Sequence, residues 1–179
     1  MIGVLVSGEG TNLQALIDAG LPVVAVASNN TKARALDRAV AAGIEAAAFP
    51  GVEFDSREAR DLAMAEWLEE RGVELVVCAG YMQLLTKPFL DRFPGQIVNT
   101  HSAPLPAFPG AHPVEDVLAA GLDETAATVH YVDEGVDTGP VIAAEKVPVR
   151  VGDTVETLRA RVQAVEHRLL PKVVAELIS

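Results

Sequence analysis

The stretch Ile2-Gly3-Val4-Leu5-Val6-Ser7-Gly8-Glu9-Gly10-Thr11-Asn12 decides the fold. Its first five residues are apolar apart from one glycine and do not alternate, the pattern of a strand buried on both faces in a parallel sheet. A turn bearing two glycines follows. Leu13, Ala15, Leu16 and Ile17 then recur at helical spacing until Gly20. A strand, a glycine turn and a helix in that order open a βαβ unit.

The same alternation continues along the chain. Val23–Ala27 is a second apolar run, and Ser28, Asn29, Asn30 and Thr31 offer N-caps for a helix over about Lys32–Ala42. Ala46–Phe49 is a third run. Asp55 with Glu58 has capping-box spacing for a helix to about Arg71 that buries Leu62, Ala65, Trp67 and Leu68. Leu75–Ala79 and Ile97–Val98 are the fourth and fifth runs, with a brief helix between them capped by Thr86 and carrying Pro88 in its first turn. Beyond His112 the pattern changes: a short helix around Val114–Ala120, an alternating strand Ala126–Val132, a loop Asp133–Gly139 and an extended run Val141–Val149. Asp153 or Thr154 caps a long final helix that Pro171 should kink or break. These elements predict an α/β fold: a single Rossmann-like domain over residues 1–179, its mostly parallel twisted sheet covered by helices on both faces.

Composition narrows the function. Half of the 179 residues are hydrophobic, which excludes disorder, and no apolar run approaches the ~20 residues that span a bilayer. No basic segment precedes Ile2, so no signal peptide is expected, and the single cysteine, Cys78, reads as a buried reduced thiol of a cytoplasmic protein. A formal net charge of −11 argues against a nucleic-acid partner. It leaves room for an anionic small molecule held by backbone N–H groups or one local arginine.

The chemistry-bearing residues form four groups. Gly8, Gly10, Thr11 and Asn12 enter a helix N-terminus, where backbone N–H groups cradle a phosphate; a purely structural turn is the competing reading. A dinucleotide site is disfavoured, because Leu13 stands where the third small residue belongs and Ser28-Asn29-Asn30 carries no acid for a ribose. Tyr81-Met82-Gln83-Leu84-Leu85 follows the fourth strand and suits a heterocyclic ligand reading backbone groups, with core packing of Met82 and Leu85 as the alternative. Asn99 and His101, two apart at a strand end, project to one side and place an amide beside an imidazole, a pair suited to a carbonyl that passes through an oxyanion. The loop of Pro104, Pro106 and Pro109 after them is stiff. Asp133 and Glu134 read as a surface turn. Asp137 joins the chemistry if it reaches His101, where a carboxylate favours the imidazolium. Arg57, in a first helical turn that disfavours cations, reads from position alone as a solvated side chain. His130 reads as a core residue or one that supports a catalytic group from behind, His112 as a loop-orienting one, and His167 beside Glu166 as part of a solvated face. No pair among these histidines and Cys78 has metal-ligand spacing, so no metal is expected.

Gly8-x-Gly10-Thr11-Asn12-Leu13-Gln14, Phe54-Asp55-Ser56-Arg57-Glu58-Ala59, Ala79-Gly80-Tyr81-Met82, Asn99-x-His101 with Leu105-Pro106 and Pro109-Gly110, and Asp133-x-x-x-Asp137-x-Gly139-Pro140 occur in one order. Together they resemble the phosphoribosylglycinamide formyltransferase family across nearly the whole chain. The resemblance implies formyl transfer from 10-formyltetrahydrofolate to the amine of glycinamide ribonucleotide in purine biosynthesis, without a metal. It implies that Gly10, Thr11, Asn12 and Glu166 hold the ribonucleotide. Arg57, Met82, Gln83, Leu84, Leu85 and Asn99 would contact formyl-folate. It makes His101 the proton donor, Asn99 its partner and Asp137 the residue that keeps the imidazole charged. Its partners are small molecules, with no nucleic acid or membrane, and a homodimer is left open. Two departures stand out: the usual Pro-Ser-Leu-Leu-Pro after the histidine is Ser102-Ala103-Pro104-Leu105-Pro106, and Gln83 occupies a position where arginine is common. The rival readings are a tRNA formyltransferase, which needs a basic RNA-binding region, a formyl-folate hydrolase, which needs an added regulatory domain, and a binding protein without turnover.

Overall fold

A computed structural model describes residues 1–179, with seven strands and six α-helices in α/β order. It divides into two compact units, Met1–Val98 and Asn99–Ser179.

In the first unit β1 (Ile2–Val6), β2 (Val23–Ser28), β3 (Glu45–Ala48) and β4 (Leu75–Cys78) pair in parallel in the order β3-β2-β1-β4. Every residue of β1 and β4 is buried, as the unalternating apolar runs require. The helices are α1 (Thr11–Asp18), α2 (Arg34–Ala41), α3 (Arg57–Glu70) and α4 (Lys87–Leu90). The chain leaves β1 first toward β2 and later returns to pair on its other side as β4. The order therefore reverses between β1 and β4, the place where open α/β sheets form a ligand crevice beyond the strand carboxyl ends.

Two helix starts and one packed face differ from expectation in this unit. Helix α2 begins two residues late, because Asn30 accepts from the Lys32 N–H (3.0 Å) and Ser28 Oγ from the Asn30 N–H (3.0 Å). These side chains make turns instead of a cap. Helix α3 is capped by Ser56, which accepts from the Ala59 N–H, and not by Asp55. Its buried face centres on Arg60, Asp61, Met64, Ala65 and Leu68, while Leu62 and Trp67 are only half-buried.

The second unit continues from β5 (Ile97–His101), the strand in which the division falls, through α5 (Pro113–Ala119) to the antiparallel pair β6 (Glu124–Tyr131) and β7 (Val141–Pro148). Helix α6 (Val155–Ile178) packs on both β6 and β7. Its cap is Thr154, in a reciprocal box with Thr157. Pro171 does not end it: the helix runs on to Ile178 with Leu169, Leu170, Val173 and Val174 buried on either side of the proline. Apolar burial at roughly 1.5–3 kcal/mol per large side chain offsets the ~3 kcal/mol cost of an internal proline. No helix of the chain is long and apolar enough to cross a membrane.

Candidate functional site

The crevice residues of the first unit come from the ends of β1, β2 and β4. Gly10 caps α1 in a left-handed conformation (φ 77°), and a Cβ there would lie 2.5 Å from the Ala35 Cβ and 2.7 Å from its Cα. Only glycine satisfies both the dihedral and the close packing on α2. The turn is braced from α2 as well: the Ala35 N–H donates to the Gly8 carbonyl (3.0 Å) and Arg38 Nε to that of Glu9 (2.6 Å). No acidic side chain occupies the first turn of α1, so its N–H groups and positive dipole end face outward unneutralised.

Ser7 links this turn to the segment after β4. Its hydroxyl accepts from the Met82 N–H (2.9 Å) and donates to Asn29 Oδ1 (2.6 Å). Met82 and Leu84 are 65% and 56% exposed, which overturns core packing for Met82, while Gln83 and Leu85 are half-buried. Arg57 is exposed, as its position suggested, yet it is not idle: its guanidinium donates to the Leu84 carbonyl (2.9 Å). The sequence thus placed Arg57 and Leu84 on separate elements, and the fold joins them.

In the second unit Asn99 and His101 stand on β5 itself, and the hairpin between β6 and β7 brings Asp137 to them. Asp137 Oδ2 lies 3.6 Å from His101 Nδ1, and its Oδ1 lies 3.5 Å from His130 Nε2. Both imidazoles are buried, His101 to 6% and His130 to 2% side-chain exposure. Gly139 lets the hairpin close, because a Cβ there would collide with the Tyr131 carbonyl. Asp137 itself takes a left-handed φ of 54°, a region aspartate tolerates better than most residues.

The two imidazoles are held by different bonds. His101 Nε2–H donates to the Phe108 carbonyl (2.8 Å), so Nδ1 is the nitrogen turned to the carboxylate. Phe108 reaches this position with φ 56°, a strained backbone for a bulky residue, and the Gly110 N–H two residues on donates to Asp137 Oδ2 (2.9 Å). One proline-stiffened loop therefore holds both members of the pair. His130 Nδ1–H donates to the Tyr131 carbonyl (2.9 Å), which leaves Nε2 with a lone pair to accept from the Asn99 amide (3.2 Å). Burial pushes the His130 pKa below its ordinary value, with Asp137 and the Tyr131 bond opposing, and the neutral ring is the one this bonding needs. The amide of Asn99 is so turned that its second N–H remains available for a developing oxyanion. His130 thus supports Asn99 from behind, one of the two readings its place on the strand allowed, and a register shift falls between Val129 and His130.

Of the remaining residues, Asp133 forms the expected surface turn, accepting from Gly135 N–H and Thr138 Oγ1, and these bonds lower its pKa. His112 stands at the N-cap of α5. Glu166 is buried on α6 and accepts from the Ser102 hydroxyl (2.7 Å), and His167 is half-buried, so that pair is not the solvated face expected. The cause is the width of the apolar face of α6, which packs on two strands and takes in residues flanking its central stripe. Cys78 is buried and its thiol is pushed up to about 12.

A family model described as formyl transferase matches residues 1–174. Phosphoribosylglycinamide formyltransferase of Mycobacterium tuberculosis (strain ATCC 25618 / H37Rv) is 44% identical over 179 residues, 97% of this chain and 83% of that protein. The trifunctional purine biosynthetic protein adenosine-3 of Drosophila pseudoobscura pseudoobscura is 42% identical over 186 residues, and there the chain spans only 14% of the relative's length. Among solved structures, phosphoribosylglycinamide formyltransferase from Streptococcus pneumoniae TIGR4 superposes with a TM-score of 0.96 at 42% identity, covering 99% of this chain and 98% of that one. Glycinamide ribonucleotide transformylase 1 from Symbiobacterium toebii gives 0.95 at 45% identity, covering 97% and 84%.

Proposed function

The chain belongs to the formyl transferase family, and we propose on that footing that it transfers the formyl group of 10-formyltetrahydrofolate to the primary amine of N1-(5-phosphoribosyl)glycinamide in purine biosynthesis. The observation that carries this reading is the meeting of Asn99 and His101, from one strand, with Asp137 of the hairpin: Asp137 faces His101 directly and reaches the Asn99 amide through His130.

The chemistry follows from those groups. The amine attacks the formyl carbon and the carbonyl oxygen gains negative charge. In this reading the free N–H of Asn99 stabilises it, and His101 joins as an imidazolium whose Nε2–H exchanges the Phe108 carbonyl for the oxyanion. Collapse breaks the bond to N10 of the folate, which takes up a proton as the attacking nitrogen loses one. Asp137, negative beside Nδ1, stabilises the imidazolium, and the buried setting strengthens that attraction relative to water. Holding both substrates together supplies much of the remaining acceleration.

Each unit has its share in this reading. Gly10, Thr11 and Asn12 take the ribonucleotide phosphate at the start of α1, with Glu166 assigned to the same substrate. Arg57, Met82, Gln83, Leu84 and Leu85 take the formyl-folate, together with Asn99. The proposal treats residues 1–179 as one formyltransferase domain, in keeping with a family model that runs across both units. The buried thiol of Cys78 suits the cytoplasm, where purine precursors are made.

The test is a formyl-transfer assay on the purified chain with and without the ribonucleotide. We expect loss of 10-formyltetrahydrofolate that depends on ribonucleotide and yields formylated product in equal amount. Formyl loss at the same rate without the amine would identify a hydrolase, and saturable binding of both ligands without product would identify a binding protein.

A further inference from the structure

Helix α3 carries a buried ion pair that the reaction does not use. Arg60 and Asp61 are adjacent, with side chains 4% and 0% exposed, and Arg60 Nε donates to Asp61 Oδ1 (3.0 Å). One guanidinium nitrogen, Nη2, is buried without a hydrogen-bond partner. Such a pair is a poor source of stability, since desolvation of both charges offsets their attraction. Its value lies in what it holds in place.

Asp61 holds Thr86. Its Oδ2 accepts both the Thr86 N–H (2.8 Å) and the Thr86 hydroxyl (2.7 Å). Thr86 is the N-cap of α4, and an N-cap hydroxyl ordinarily accepts from an N–H of the first helical turn. Here no such bond forms, and the hydroxyl is turned to donate to the carboxylate. A local rule is broken in favour of a contact 25 residues away.

Arg57 lies one helical turn before Asp61, on the same face of α3, and donates to the Leu84 carbonyl. The face of α3 thus grips the segment twice, at Leu84 and at Thr86, while Ser7 holds its start at the Met82 N–H. Between these points Met82 and Leu84 are displayed outward.

We propose that Asp61 is a positioning residue for the formyl donor: through Thr86 it fixes the carboxyl end of Met82–Leu85 against α3. It thereby sets affinity for 10-formyltetrahydrofolate and leaves the transfer step itself unchanged. This rests on the reading of Met82–Leu85 as the formyl-folate segment.

Thr86→Val removes the hydroxyl and keeps the shape, with Thr86→Ala as a second variant for the same bond. In steady-state transfer assays with each substrate varied, we expect KM for 10-formyltetrahydrofolate to rise about tenfold, the scale of one lost hydrogen bond to a charged group. We expect kcat and KM for the ribonucleotide to stay within about twofold, a ratio too small to count as a lost interaction. Thr86→Ser, which restores the donor, should return the folate KM to the wild-type value. An unmoved folate KM in both hydroxyl-free variants, a parallel rise in both KM values, or failure of serine to rescue would overturn the positioning role while leaving the functional reading intact. A wild-type chain with no ribonucleotide-dependent transfer would overturn the functional reading and this inference with it.

Discussion

The two loops to which the proposed function assigns the substrate phosphate and the catalytic pair are built by opposite means. The turn after β1 offers backbone: glycines, an outward helix N-terminus and a left-handed Gly10 packed on Ala35. The loop after β5 serves side chains that lie outside it, His101 on β5 and Asp137 on the hairpin, and its backbone aims them, Phe108 through its carbonyl and Gly110 through its N–H. An anion is recognised adequately by N–H groups whose direction the helix already sets. A proton is not. It must sit on a named nitrogen, so the second loop spends strain at Phe108 to fix which nitrogen of His101 faces Asp137.

That contrast predicts how each loop fails. His101→Ala should lower kcat by about 10³-fold, the scale of losing an oxyanion stabiliser and proton donor, with ribonucleotide affinity unchanged. Comparable losses in kcat and in ribonucleotide binding, measured by titration calorimetry, would erase the distinction between the two loops. Gly10→Val should act the other way round. Strain of about 2 kcal/mol at φ 77° and the clash with Ala35 distort the cradle, so ribonucleotide Kd should rise about thirtyfold while kcat at saturation stays near wild type. A variant that binds normally would show that the turn is only structural.

His130→Gln sharpens the comparison inside the second unit. Replacing the rigid ring acceptor behind the Asn99 amide by a flexible amide, which no longer holds that geometry, should lower kcat by about tenfold, one hydrogen bond's worth. The variant should also change the pH dependence of stability. A histidine whose folded pKa lies below its unfolded value of about 6.5 binds more protons when unfolded, so it destabilises the fold as pH falls through that value and below. Thermal unfolding from pH 7.5 to 5 should therefore show a smaller drop in Tm for His130→Gln than for wild type. Identical slopes would mean that His130 is not held neutral. The smallest effect belongs to β4: Cys78, with its thiol pushed up to about 12, should not react with a thiol reagent at pH 8 until denaturant is added.

Much of this was readable from residue order. The unalternating runs of β1 and β4, the glycine turn and the Thr154 cap all appear where local rules put them, because strand burial and capping depend on neighbours within a few residues. The departures from local preference share one cause. Pro171 inside α6, Glu166 and His167 on its packed side, Asp61 buried in α3 and the diverted hydroxyl of Thr86 each break a local preference because a distant segment supplies a better partner. The exposed Met82 belongs with them: an apolar side chain stays out when Ser7 holds its backbone.

Sequence alone determined the α/β alternation, the class of chemistry and the residue types that carry it, since period, turn residues and functional groups are properties of the chain itself. Tertiary structure decided which of those groups meet. Asp137 joins His101 across 36 positions only because the β6–β7 hairpin folds back onto β5, and the ring orientations of His101 and His130 follow from carbonyls that no spacing rule announces. A proton's location depends on distances of a few ångströms, and those exist only once the chain has folded.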